Sequence, residues 1–180
     1  MNDNNFTNLP TDLICDKPYL YAINLVKSFR HFPRFLTGNY QVHDNCEVPY
    51  LHMVRLFENN FSVVPSKAFR TIHNARDEVI LSYSNISLIH KDALIQLTNV
   101  LYLSMDHNRI RHIPRTVFRK QQHMRQLYLQ NNLISKFDTQ CLPSPSHLRL
   151  INLRNNKIRS VIGQFHQKSP LMETIHLQNN

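Results

Sequence analysis

The sequence predicts an α/β solenoid, a chain wound in near-identical coils that each lend one short strand to a shared parallel sheet. Three observations predict it. An asparagine or serine recurs at Asn59, Ser84, Asn108, Asn132, Asn156 and Asn180, at one interval of 25 residues and then four of 24. Unrelated strands and helices do not repeat so evenly, and a period in this range marks stacked repeats. Each of these positions follows apolar residues two apart: Val54/Leu56, Val79/Leu81, Leu103/Met105, Leu127/Leu129, Ile151/Leu153 and Ile175/Leu177. Residues so spaced point to one face of an extended strand. A second apolar group follows, as in Val64 with Phe69 or Ile113 with Phe118, and carries the chain back. Strands this short cannot bury a face alone, whereas stacked coils build one continuous core.

Residues 1–8 are polar and asparagine-rich, which predicts a frayed terminus. Leu9-Pro10 and Leu13 resemble the second half of a repeat, and Leu20, Ile23, Leu25 and Ser28 a degenerate strand half. A competing frame puts Phe29, Phe32 and Pro33 at the later positions, because Arg30-His31-Phe32-Pro33 mimics Arg111-His112-Ile113-Pro114. The two frames differ by one residue. From Ser28 to Asn59 the interval is 31, and the surplus falls in 37–49, where Gly38, Asn39, Asp44, Asn45 and Pro49 signal a loop. Residues 1–50 therefore read as an irregular N-terminal repeat or cap with an inserted loop. Residues 51–180 read as a regular array with a truncated last repeat. Strands are expected around 54–56, 79–81, 103–105, 127–129, 151–153 and 175–177.

The recurrent asparagine has a physical role at the bend after the strand. Its amide offers two donors and an acceptor to backbone groups turning into the core. Ser84 can supply only part of that bonding and predicts a looser rung. The array stops mid-repeat at Asn180, which predicts a fragment of a longer array with exposed core at that end.

The pattern resembles leucine-rich-repeat proteins of the 24-residue type, LxxLxLxxNxLxxLPxxxFxxLxx, over about Leu51 to Asn180, and best over Val100–Phe118. The proline is absent after Ile89, Phe137 and Val161, and Leu94, Leu142 and His166 replace the phenylalanine. This type is similar to the ectodomains of Toll-like receptors, repeat-bearing G-protein-coupled receptors and small matrix proteoglycans. The resemblance implies a horseshoe whose concave sheet binds partners and whose convex side is irregular or briefly helical. It also implies that a Cys15–Cys46 bridge would tie the loop to the cap, as in many extracellular members. Two unpaired thiols in an intracellular protein are the alternative, since pairing cannot be read from spacing. Cys141 lies beside the core position Leu142 and reads as a buried thiol acting as a small hydrophobe.

Composition is that of a globular chain, 42% hydrophobic and 18% charged. No run approaches the ~20 apolar residues of a membrane span, and the N-terminus lacks the basic and apolar segments of a secretory signal. The net charge of +9 is uneven: residues 109–168 hold twelve Lys or Arg against the single acid Asp138. Such a block steers polyanions, although charge runs usually serve as solvated surface.

Eleven histidines invite a search for chemistry, but HExxH, CxxC, GxSxG, the P-loop and GxGxxG are all absent. With two glycines in the chain, a phosphate-cradling loop is not expected. No catalytic, cofactor or metal site is assigned. Three N-x-S/T sequons exist at Asn5, Asn60 and Asn85, the latter two at equivalent repeat positions. The expected function is a non-enzymatic, protein- or peptide-binding module of a receptor, adhesion or matrix protein, extracellular or at the cell surface. The alternatives are a matrix component binding anionic glycan through 109–168, and a cytoplasmic interaction scaffold. Specific nucleic-acid recognition is not expected. The candidate partner-binding residues on the concave face are Arg55, Phe57, Tyr83, Tyr102, Asp106, Tyr128 and Arg154.

Overall fold

In the computed structural model of the chain, residues 17, 19–37, 51–72 and 75–180 are described. Seven three-residue strands form one parallel sheet in chain order: Ala22–Asn24, Met53–Arg55, Glu78–Ile80, Tyr102–Ser104, Gln126–Tyr128, Leu150–Asn152 and Thr174–His176. Their central residues Ile23, Val54, Val79, Leu103, Leu127, Ile151 and Ile175 stand in one register line. Each strand starts one residue earlier than the sequence pattern suggested. The second apolar residue of each pair already belongs to the bend, although its amide still bonds the next coil, as Leu81 N does to Ser104 O at 2.8 Å.

The bend is reproduced coil after coil. The residue just before the recurrent polar position has a left-handed backbone, with φ of +50° at Lys27, +55° at Glu58, +56° at Tyr83 and +52° at His107. Asn131, Asn155 and Asn179 continue the series. That turn aims backbone groups inward, and the asparagine ladder satisfies them. Asn132 Nδ2 donates to the carbonyls of Met105 and Leu129, each at 3.0 Å, while its Oδ1 accepts from Ile110 N at 3.0 Å. Asn156 and Asn180 repeat the arrangement one and two coils on. Ser84 is the looser rung expected of it. Its hydroxyl donates to the carbonyls of Leu56 and Ser82 and accepts from Asn59 N, but the Phe61 amide is not among its partners.

The first coil reconciles the two competing frames. Ile23 pairs with Val54, so the strand half follows the frame ending at Ser28. Asn59 Oδ1 then accepts from Ser28 N and Phe29 N, at 2.9 and 2.8 Å, where Asn108 accepts from Ser84 N and Ile86 N. One residue is dropped after Ser28, and the later positions shift to the other frame, burying Phe29 and Phe32. The loop expected at 37–49 lies almost wholly outside the described residues.

Past the bend, two short parallel pairs appear that the sequence did not suggest: Val63–Val64 with Leu88–Ile89, and Lys136–Asp138 with Ser160–Ile162. Pro114 separates them. His90 N bonds Val64 O in the preceding coil, and proline has no N–H to make the equivalent bond. The convex return is made of single turns, Arg34–Thr37, Arg70–Ile72, Thr139–Cys141 and Phe165–Lys168. Phe32 meets Phe61 and Phe69 edge-on, at 5.2 and 5.5 Å between ring centres, and anchors the first coils. Cys141 is free and buried, and burial first, then the charge of Asp138, push its thiol far above the ordinary range. It acts as a small hydrophobe.

At the last coil Val161, Ile162, Leu171, Ile175 and Leu177 are exposed, although Ile175 and Leu177 continue the buried columns. This 180-residue chain is therefore expected to self-associate with rising concentration. Ile175→Asn with Leu177→Asn should abolish the association in sedimentation equilibrium. A wild-type monomer at every concentration would refute the expectation.

Candidate functional site

The residues flanking each strand centre turn to the concave side, because side chains alternate across a strand; most are half-buried there, and Ser104 is buried. One column runs Arg55, Ile80, Ser104, Tyr128, Asn152, His176, and another Met53, Glu78, Tyr102, Gln126, Leu150, Thr174. Tyr102 and Tyr128 lie diagonally on adjacent strands, with ring centres 4.9 Å apart and planes tilted by 31°. Burial raises both phenols above their ordinary pKa, most directly for Tyr102, where the neighbouring Tyr128, Asp106 and Glu78 add to it. Tyr128 Oη donates to Gln126 Oε1 at 3.0 Å. Beside them, Arg55 pairs with Glu78 across the first two regular strands.

Next to this aromatic pair, two coils converge on one carboxylate. Asp106 is 8% exposed, and its Oδ1 accepts from the hydroxyls of Ser82, at 2.5 Å, and Ser104. Its Oδ2 lies 2.5 Å from His107 Nδ1. Burial alone would raise the Asp106 pKa, but the bonds from Ser104, Ser82 and His107 outweigh it and hold the group below its ordinary value. His107 Nε2 faces Asn131 Nδ2 at 3.0 Å. An amide nitrogen only donates, so Nε2 is the acceptor and Nδ1 carries the proton toward Asp106. Tyr83 stacks on the His107 ring, 4.1 Å between centres and 10° from parallel, and is 53% exposed. From Asn131 an amide chain continues to Asn155 and Asn179, at 2.8 and 2.9 Å.

A carboxylate with a depressed folded pKa stabilises the fold above its unfolded pKa, and that contribution is lost as pH falls through the folded value. Acid is therefore expected to weaken the chain below about pH 4, the ordinary carboxylate range. Asp106→Asn should flatten that slope in urea titrations at stepped pH. An unchanged slope would show that Asp106 does not couple folding to pH.

Of the residues singled out from sequence, Tyr83, Tyr102, Asp106 and Tyr128 come together, with Arg55 at the border through Glu78. Asp106 is the buried organiser of this surface rather than one of its exposed groups. Phe57 stands one coil before Ser82, and Arg154 is exposed two coils beyond Asp106. Asn60 and Asn85 lie on adjacent coils, in contact through Asn85 Nδ2 and Asn60 Oδ1 at 3.1 Å. Asn5, Cys15 and Cys46 lie outside the described residues. Sequence reasoning put Ser82, Ser104 and His107 on the concave side but did not single them out as partners of Asp106. The signal was there: Ser82 and Asp106 are 24 residues apart, so the period places them side by side.

No three metal-ligating side chains gather among the described residues, and no helix there is long and apolar enough to cross a membrane. The serines bond the carboxylate directly, and the outer nitrogen of His107 is occupied by Asn131. This is a hydrogen-bonded platform, not a nucleophile with its base.

Comparison with known proteins agrees with the geometry. The zebrafish (Danio rerio) leucine-rich repeat and fibronectin type III domain-containing protein 1-like protein is 34% identical over 83 residues, which are 46% of this chain and 12% of that protein. Among solved structures, the TLR13–ssRNA13 complex superposes with a TM-score of 0.79 at 20% identity, covering all of this chain and 25% of its own. The Leptospira interrogans protein LIC12759 gives 0.76 at 21% identity, covering 99% and 42%. Toll from Drosophila, in complex with Spatzle, gives 0.69 at 20%, covering 98% and 26%. The chain thus spans less than half the length of each, and at these identities the solved structures speak to fold alone. The leucine rich repeat pattern itself matches in overlapping stretches, 77–134, 102–158 and 122–180, more than half of the sequence: the chain belongs to the leucine-rich-repeat family.

Proposed function

We propose that the chain is the partner-binding part of a receptor, adhesion or matrix ectodomain, and that it holds a protein or peptide on the concave face. The observation that carries this is the concave cluster itself. Two tyrosines and a Tyr–His stack are presented on a rigid sheet, above a buried carboxylate that locks their support. Tyrosine and arginine dominate binding hot spots, and rings held in place lose little entropy on binding. Six strands from Arg55 to His176 make a strip about 25 Å long at ~4.8 Å spacing, comparable with the ~800 Å² each partner contributes to an ordinary interface. Structural relatives include proteins solved as complexes, with Spatzle in one case and an RNA in another.

The backbone supports the reading. Tyr83 and His107 occupy left-handed positions that Asn131, Asn155 and Asn179 fill at lower strain. Bulky rings kept where asparagine would suit the fold better point to a role outside the fold. The expected result is that Tyr83→Asn with Tyr128→Ala keeps the unfolding midpoint but weakens a partner found by screening extracellular proteins by more than ~2 kcal/mol. A convex control, Arg115→Ala with Arg119→Ala, should bind normally. Loss in the convex variant alone would move the site off the sheet.

The extracellular setting rests on the paired sequons. The Asn85 amide is held by Asn60, whereas Asn60 and Ser62 are exposed. Secretion of the chain behind an added signal should yield sugar mainly at Asn60, so Asn60→Gln removes most of the glycosidase-sensitive mobility shift. Absence of any shift would remove the support for this compartment.

A further inference from the structure

The flank where the chain leaves the concave sheet changes character along the solenoid. One and three residues past the recurrent polar position, two coils present Asn60 and Ser62, then Asn85 and Ser87; the next three present Arg109 and Arg111, Leu133 and Ser135, and Lys157 and Arg159, with Lys136 one position further on, where the first two coils carry Val63 and Leu88. Backbone bonds keep these positions in register, Arg109 N to Ile86 O at 2.7 Å, Leu133 N to Ile110 O at 2.9 Å and Arg159 N to Ser135 O at 3.0 Å. Lys136 pairs with Ser160 in the short parallel ladder. All five cations are exposed. The ion pairs of the described residues use other cations: Lys27, Arg55, Arg115 and Arg149 take Glu58, Glu78, Asp138 and Glu173. Asp138, the lone acid of the basic block, is thus engaged by Arg115.

The basic block therefore resolves into two surfaces. Arg119, Lys120 and Lys168 line a separate convex groove of about 440 Å³ together with Arg115, which is partly neutralised by Asp138. Among the described residues no ion pair engages the five flank cations, and Asp138, on the same strand as Lys136, is paired with Arg115. We infer that Arg109, Arg111, Lys136, Lys157 and Arg159 form a binding surface for a sulfated polysaccharide laid across three coils. Successive coils stack about 4.8 Å apart, so the five charges form one continuous field rather than scattered points. Lysine supplies point charges for sulfate, and the arginine fork supplies paired donors. Single-stranded nucleic acid is held by stacking its bases on aromatic rings, and no phenylalanine or tyrosine occupies these flank positions. The inference shares with the concave reading only its extracellular setting and does not depend on a partner there.

The test uses immobilised heparin and a single-stranded RNA oligonucleotide as probes, at about 0.15 M salt. Three proteins are compared: the wild type, the flank variant Arg109→Gln, Arg111→Gln, Lys136→Gln, Lys157→Gln, Arg159→Gln, and the convex variant Arg119→Gln, Lys120→Gln, Lys168→Gln. Seven of the eight side chains are exposed and Lys168 is half-buried, and an unchanged urea midpoint verifies the fold. The wild type should bind heparin. The flank variant should bind on the order of 30-fold more weakly, about twofold for each exposed charge removed, with a shallower salt dependence. The convex variant should lose far less. Equal losses in both variants would show an undirected charge effect and overturn the proposal, as would no heparin binding by the wild type. Tighter binding of RNA than of heparin, with the same flank dependence, would assign the surface to nucleic acid instead.

Discussion

Asn108→Ala is expected to destabilise the chain by about 3 kcal/mol or more. The side chain closes the bend between two coils. Its Nδ2 donates to the carbonyls of Leu81, Met105 and Asp106 at 2.9, 3.0 and 3.1 Å, and its Oδ1 accepts from the amides of Ser84 and Ile86, both at 2.9 Å. Alanine would leave the Leu81 carbonyl and the Ser84 and Ile86 amides without this partner, while Met105 O keeps Asn132 Nδ2 and Asp106 O keeps Tyr83 N; each unsatisfied group costs ~1–3 kcal/mol. Urea unfolding should show the midpoint falling by about 1–2 M with an unchanged slope. Asn108→Ser is expected to recover roughly half of the loss, because Ser84 already performs part of this bonding in the neighbouring coil. A loss below about 1 kcal/mol, the net worth of a single hydrogen bond, would show that the ladder is incidental to stability.

Phe118→Ala should have an effect of similar or greater size, about 3–5 kcal/mol. Phe118 has no exposed surface and holds the convex core position that Leu94 holds in the coil before and Leu142 in the coil after. Both neighbouring coils are tied to the sheet by their own strands and by Ser84 or Asn132, so the site cannot collapse to fill the void. Phe165 makes the contrast. It stacks on Phe137, with ring centres 5.8 Å apart, but is only partly buried in the last coil. Phe165→Ala should therefore cost less than half as much, measured by thermal unfolding under the same conditions. Equal losses at the two sites would mean that the end coil is as firmly packed as the middle one, against the exposure of Ile175 and Leu177.

The sequence alone determined the coil. A period of 24 set by Asn108, Asn132, Asn156 and Asn180, with strand pairs such as Leu103/Met105, was enough to place the parallel sheet, the ladder and the convex return. The reason is that every coil repeats the same local problem, and the contacts that solve it lie at a constant separation. Where the constancy breaks, the sequence left two answers. The one-residue deletion after Ser28 became legible only when Asn59 was seen bonding Ser28 N and Phe29 N. The concave site shows the same division. The sequence named Tyr83, Tyr102, Asp106 and Tyr128 among the concave-face candidates. That Asp106 is buried under Ser82 and Ser104, with Tyr83 stacked on His107, was decided by tertiary structure. Side-chain direction at a left-handed bend depends on its neighbours in the adjoining coils, and residue spacing carries no record of which of them it meets. The charge block likewise read as one region in sequence, while folding divided it between flank and convex groove, because alternate positions of one coil face different sides of the solenoid.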